Sequence, residues 1–166
     1  LNKVEKILSP LVGEMCWGVR QTHGSNFFVE FGMPHLKALG PMQMGDSVSV
    51  SQIARRRRRH AVLYGNWTLW VRDCAWEVQA WECRVGQDSS KEDMLPAFES
   101  LSGQILESVR YDVLRKSCVF NFDLGAHLTT SSIPDSDASW EQWTISSSDG
   151  LSVSLNNNGE LTEGGV

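Results

Sequence analysis

Cys118-Val119-Phe120-Asn121-Phe122-Asp123-Leu124-Gly125 is the stretch that decides the fold class. Cys118, Phe120, Phe122 and Leu124 alternate with Val119, Asn121, Asp123 and Gly125, a period of two. Successive side chains on a strand point to opposite faces, so this pattern puts one face in a core and the other in water. Cys118 shares the apolar face and reads as core rather than as a nucleophile. Outward from here, Phe27-Phe-Val-Glu-Phe-Gly32 has the same alternation, and each stretch is followed by a His-Leu pair, His35-Leu36 and His127-Leu128.

Two more blocks extend the correspondence. Leu11-Val-Gly13 with Val19-Arg20 matches Leu101-Ser-Gly103 with Val109-Arg110, and Trp67-x-x-Trp70 matches Trp140-x-x-Trp143. Four blocks in one order predict an internal duplication, with repeats over about 1–86 and 91–161. Residues 91–101 predict a helix: Asp88, Ser89 or Ser90 can cap it, and Met94, Phe98 and Leu101 form an i, i+4, i+7 stripe. A shorter helix is expected over 4–12, kinked or ended at Pro10. Gly65-Asn66, Asp149-Gly150 and Asn158-Gly159 mark turns between strands, and Val48 and Val50 resume alternation after a Gly- and Pro-containing break. The expectation is one α+β domain over residues 1–166, mainly β: two diverged repeats, each a helix plus antiparallel strands, related by a pseudo-twofold and sharing one core.

Bulk properties fit that reading. A chain of 166 residues, 41 % hydrophobic, can bury a core without metal or disulfide support. Cys16, Cys74, Cys83 and Cys118 lack paired C-x-x-C spacing and sit among Trp, Val and Phe, so they read as buried thiols of a cytoplasmic protein rather than bridges or zinc ligands. No apolar run reaches the length of a membrane span, and residues 1–13 do not read as a signal peptide. No membrane contact, cofactor or metal is expected. Net charge is −5, split unevenly: residues 1–90 hold 11 basic against 8 acidic side chains, and residues 91–166 hold 4 against 12.

The most unusual local feature is the run Arg55, Arg56, Arg57, Arg58 and Arg59 followed by His60. Guanidinium forks suit carboxylates or phosphates, and unpaired burial is costly, so this segment is expected at an edge, in a loop, or paired with acids. An edge-protecting or intramolecular role is the plain structural account. As a binding element it points to an acidic or mixed-charge protein, because a net-acidic chain is a poor nucleic-acid binder. Trp67, Trp70, Trp140 and Trp143 read first as packing residues and second as an aromatic binding surface. His35 and His127, and Glu30 and Asp123, stand as equivalent polar positions of the two repeats, the carboxylates on outward faces. Two histidines without a third ligand do not make a metal site. No Gly-rich phosphate loop, G-x-S-x-G elbow or H-E-x-x-H is present, so no catalytic residue is assigned.

The runs over 18–36 and 65–70, with 120–125 and Glu141-Gln-Trp143, resemble an uncharacterised family of small bacterial proteins. The compact, acidic, motif-free character is also similar to that of immunity proteins of bacterial toxin systems. The first resemblance implies no activity; the second, with the net acidity, the split of charge and the aromatic residues, points to a non-enzymatic protein that binds another macromolecule, a toxin-neutralising or accessory factor. The alternatives are a small-ligand domain with a groove between the repeats, and an enzyme with no recognisable motif.

Overall fold

The computed structural model describes residues 1–41, 58–134 and 136–165. Helix α1 (Lys3–Leu8) starts at a capping box in which Asn2 and Glu5 exchange side-chain and backbone hydrogen bonds, and a 3₁₀ turn with Pro10 follows it. Helix α2 (Lys91–Leu101) is capped by Ser90, whose hydroxyl accepts from the Asp93 amide, and it buries Met94, Ala97, Phe98 and Leu101. Both ends agree with the predicted 91–101.

The remaining elements are antiparallel strands. After α1 come β1 (Cys16–Gln21), β2 (Phe27–Phe31), β3 (His35–Leu39), β4 (His60–Tyr64), β5 (Trp67–Val71), β6 (Ala75–Ala80) and β7 (Cys83–Gly86). After α2 come β8 (Leu106–Asp112), β9 (Ser117–Phe122), β10 (His127–Ser131), β11 (Glu141–Ser147), β12 (Leu151–Asn156) and β13 (Leu161–Gly165). They form a six-stranded sheet, β1-β2-β5-β11-β12-β13, a five-stranded sheet, β7-β6-β10-β9-β8, and a separate two-stranded hairpin, β3-β4. The fold is α+β, dominated by antiparallel sheet.

The register turns the alternation of the sequence into rows. Across the six-stranded sheet, Phe27, Val71, Trp143, Leu155 and Leu161 pair in succession, as do Val29, Leu69, Ile145 and Val153. Across the five-stranded sheet the matching row is Val85, Val78, Leu128, Phe120 and Val109. These inner faces share one buried cluster, with Phe27 edge-on to Trp76 at 4.8 Å and Phe31 stacked over Phe122 at 6.5 Å. Each fully buried Leu, Ile or Phe there contributes about 1.5–3 kcal/mol by leaving water.

The two sheets are tied at one point by reciprocal backbone bonds around the Met15–Ile105 bridge. Gly13 N–H donates to Leu106 O (2.8 Å) and Gly103 N–H to Cys16 O (2.7 Å); Cys16 N–H donates to Gln104 O (2.8 Å) and Leu106 N–H to Glu14 O (3.0 Å). Gly13 and Gly103 carry φ of +90° and +92°, a conformation that an L side chain would strain. This is the physical content of the matched Leu-x-Gly blocks.

Two expected correspondences do not hold. Trp67 and Trp70 lie on β5, which pairs directly with β11, where Trp143 sits opposite Val71. Trp67, Trp70 and Trp143 are therefore neighbours in one sheet, and Trp140 lies ahead of its strand. His35 opens β3 and His127 opens β10, strands of different sheets with different partners. A likeness two residues long could not separate an added hairpin strand from a central one. The β2–β5 connection holds that hairpin, 32–66, whereas β9 reaches β10 through 123–126 alone.

Candidate functional site

Hairpin β3-β4 stands on a buried carboxylate. Glu30 was expected on an outward face; it does point away from the inter-sheet core, yet it is fully buried at the foot of the hairpin. One carboxylate oxygen accepts from the Gly65 amide (3.0 Å) and the Thr68 hydroxyl (2.6 Å), and the other faces Arg20 at 2.8 Å. Gly65 is required here, since a Cβ would lie 2.3 Å from the Phe31 carbonyl oxygen. Asn66 adds a bond to His35 Nε2 (2.5 Å), and its carbonyl accepts from Ser148 N–H of the β11–β12 turn (2.9 Å).

The hairpin has two unlike faces. Leu36 pairs with Leu63 and Ala38 with Ala61, and all four are exposed, Leu36 at 72 % and Leu63 at 53 %. Met33, 68 % exposed, lies just before β3. Lys37 and Tyr64 belong to the opposite face and line a groove of about 380 Å³ against the outer face of the six-stranded sheet. The floor comes from two transverse rows of that face, Phe28, Trp70 and Thr144 in one and Thr68 and Ser146 in the other; the first row continues to Arg20 on one side and to Ser154 and Thr162 on the other, and the second to Glu30 and Ser152. Thr144 and Ser154 share a hydrogen bond (2.8 Å), as do Ser146 and Ser152 (3.3 Å).

The aromatic part of the floor is a continuous stack. The Arg20 guanidinium lies 5.1 Å from the Phe28 ring centre, Phe28 stacks on Trp70 at 5.1 Å, and Arg72 lies 4.0 Å over Trp70. Glu30 pairs with Arg20 and Glu141 with Arg72, so both guanidinium charges are matched within the fold. With the ring faces taken up, the pair offers the groove its edges, where an aromatic quadrupole is positive.

The residues singled out in the sequence separate into different settings. Arg55, Arg56, Arg57, Val48 and Val50 lie outside the described residues; Arg58, Arg59 and His60 are exposed where the chain enters β4. Trp67 and Trp70 are half-buried, Trp143 is fully buried core, and Trp140 is half exposed ahead of β11. His127 is exposed and bonded through Nδ1 to Asn121 Oδ1 (2.9 Å), on the outer face of the other sheet. Asp123 is exposed in the β9–β10 turn and accepts from Ile105 N–H (2.8 Å). Sequence reasoning missed Lys37, Tyr64 and Ser148. Thr144 and Ser146 alternating with buried Trp143 and Ile145, opposite Ser152 and Ser154, was the available signal for a hydroxyl-lined outer face.

All four cysteines are thiols; Cys16, Cys74 and Cys118 are buried and Cys83 is half-buried. Burial pushes Cys16 and Cys74 up to about 12, and Cys118 further in the same direction. Protonated thiols are poor nucleophiles. Among the described residues no three His, Cys, Asp or Glu side chains gather into a metal-binding group, and no helix is long and apolar enough to cross a membrane. Comparison with known proteins finds no matching family model, no matching curated protein and no matching solved structure.

Proposed function

We propose that this is a non-enzymatic bacterial binding protein of the cytoplasm, a toxin-neutralising or accessory factor, which docks hairpin β3-β4 onto an acidic protein surface. The observation that carries this is the hairpin itself. It belongs to neither large sheet, and one entire face, Leu36, Ala38, Ala61 and Leu63, is apolar and exposed. An isolated two-stranded hairpin is marginal in water, and apolar anchors ringed by charge are what interfaces use. Residues 33–64 contain six basic side chains and one acidic, whereas the rest of the chain contains 9 basic and 19 acidic. A basic arm attracts an acidic surface, and on a net-acidic body it confines that attraction to the hairpin.

The strand order also supports descent from a duplicated unit, two diverged repeats about a pseudo-twofold. β1-β2-β5 continues into β11-β12, and β8-β9-β10 continues into β6-β7, so each half lends its later strands to the other half's sheet. Under that correspondence Trp143 answers to Trp76, and the hairpin has no counterpart. An element present in one copy alone is a natural carrier of function.

The test is affinity capture from bacterial lysate with cross-linking, comparing the wild type with R58E/R59E and L36S/L63S. Support requires a captured protein whose cross-links map to residues 33–41 or 58–64 and to an acid-rich segment of the partner, and whose capture both variants lose. Capture that survives both variants, or none at all, overturns the reading.

A further inference from the structure

The groove beneath the hairpin presents a separate chemistry on the face away from Leu36 and Leu63. We infer that it is a binding site for a small anion with a flat apolar body, a carboxylate or phosphate monoester on an aromatic or unsaturated frame. Its volume of about 380 Å³ falls in the range of small-molecule sites. Its lining contains Lys37 and no carboxylate: Glu30 is engaged by Arg20 and Glu141 by Arg72, and Asp149, between the lining residues Ser148 and Gly150, is exposed in the β11–β12 turn outside the lining. Lys37 makes no ion pair among the described residues, so its ammonium charge is uncompensated there.

Neutral donors complete the polar side. The Tyr64 and Ser148 hydroxyls line the groove and have no hydrogen-bond partner among the described residues, while the Ser147 hydroxyl accepts from Leu151 N–H and keeps its own proton to give. The apolar side is the Phe28–Trp70 pair, whose ring faces are covered by Arg20 and Arg72. That arrangement disfavours a sugar, which needs a free aromatic face. It favours an in-plane approach of oxygen-rich or π-rich groups to the positive ring edges. Lys37 fixes the head and the ring edges hold the body.

This site does not depend on the protein-docking reading, because it uses the other face of the hairpin. The probes are phenylacetate and phenyl phosphate, with phenylacetamide as the neutral analogue, titrated by calorimetry and by chemical-shift changes of the Trp70 indole. Saturable binding is expected for at least one anion, tighter than the amide by about tenfold or more, the scale of a hydrogen bond to a charged group. K37Q removes that preference and leaves the spectrum otherwise folded, whereas L36S/L63S leaves anion binding unchanged. Which anion binds more tightly separates a carboxylate from a phosphate ligand. Absence of saturable binding for both anions, equal binding of the amide, or retention of the preference in K37Q would overturn the inference.

Discussion

Replacing Glu30 by glutamine tests whether the buried carboxylate is what seats the hairpin. The change keeps size and shape, so no cavity forms. The amide oxygen can still accept from the Gly65 amide and the Thr68 hydroxyl, now as a neutral acceptor. Charge-assisted bonds are roughly twice as strong as neutral ones, a loss of about 1 kcal/mol for each of the two. The Arg20 pair adds less, about 0–1 kcal/mol, because the Arg20 side chain is 45 % exposed and screened by water. Against these losses, a neutral amide is cheaper to bury than a carboxylate. The net expectation for E30Q is about 1–3 kcal/mol of destabilisation, roughly 2–12 °C in Tm for a chain of this length. E30A, which leaves the Gly65 N–H without an acceptor and opens a void, is expected at about 3–5 kcal/mol, and R20M at less than about 1 kcal/mol. Urea unfolding gives the energies, and amide exchange at Gly65 reports whether the foot of the hairpin loosens first. E30Q as stable as the wild type, or R20M more damaging than E30Q, would refute the assignment of Glu30 as the seat.

Two further outcomes follow from the same geometry. G65A is expected to lose about 3 kcal/mol of stability, the upper end for overpacking, since its Cβ would sit 2.3 Å from a backbone oxygen, which cannot yield as a side-chain tip can; a shift below about 1 kcal/mol in equilibrium urea unfolding would show that the β4–β5 turn relaxes freely. The buried thiols make stability fall in alkali: Cys16 and Cys74 are raised from 9.0 to about 12 and Cys118 moves the same way, so above about pH 9 the unfolded chain releases protons that the folded chain retains. The stability contributed by the protonated, buried thiols is fully present below the unfolded pKa and declines as pH rises past it, by up to about 1.4 kcal/mol per pH unit for each thiol; urea melts between pH 8 and 10 on the wild type and C118A check this, and equal slopes would overturn the assignment for Cys118.

The strands were legible because their burial is one-sided. β9 shows its core face as Cys118, Phe120 and Phe122, and β6 shows Trp76, Val78 and Ala80 in the same way. Helix α2 was legible from its cap and stripe, and both its ends agree. The pairing of distant strands was not legible, because the β5–β11 contact joins residues more than 70 positions apart and leaves no local mark. That is why Trp-x-x-Trp suggested a repeat where the fold makes a neighbour. His35 misled for a related reason: the hairpin interrupts the repeat just where the sequence likeness was weakest. The groove was half legible. Serine and threonine alternating with core residues announce a solvated face, but nothing local tells that Lys37 and Tyr64 fold over that face.

Glu30 shows why such a site is hard to read from composition. A carboxylate alternating with phenylalanines reads as water-facing, and on either of the large sheets alone it would be. The hairpin supplies what makes burial tolerable: the Gly65 amide comes within 3.0 Å only because residue 65 lacks a side chain, and β5 adds the Thr68 hydroxyl from the next strand. An apolar residue at 30 would pack, but it would leave the Gly65 N–H unpaired and would not penalise a chain entering β5 one residue out of place, which would exchange the faces of the hairpin. The carboxylate fixes the end of β4, because one oxygen takes the Gly65 amide together with the Thr68 hydroxyl of β5 while the other meets Arg20 of β1. Burying this charge therefore yields position more than stability: it sets which hairpin face covers the groove, with Lys37, and which faces outward, with Leu36 and Leu63.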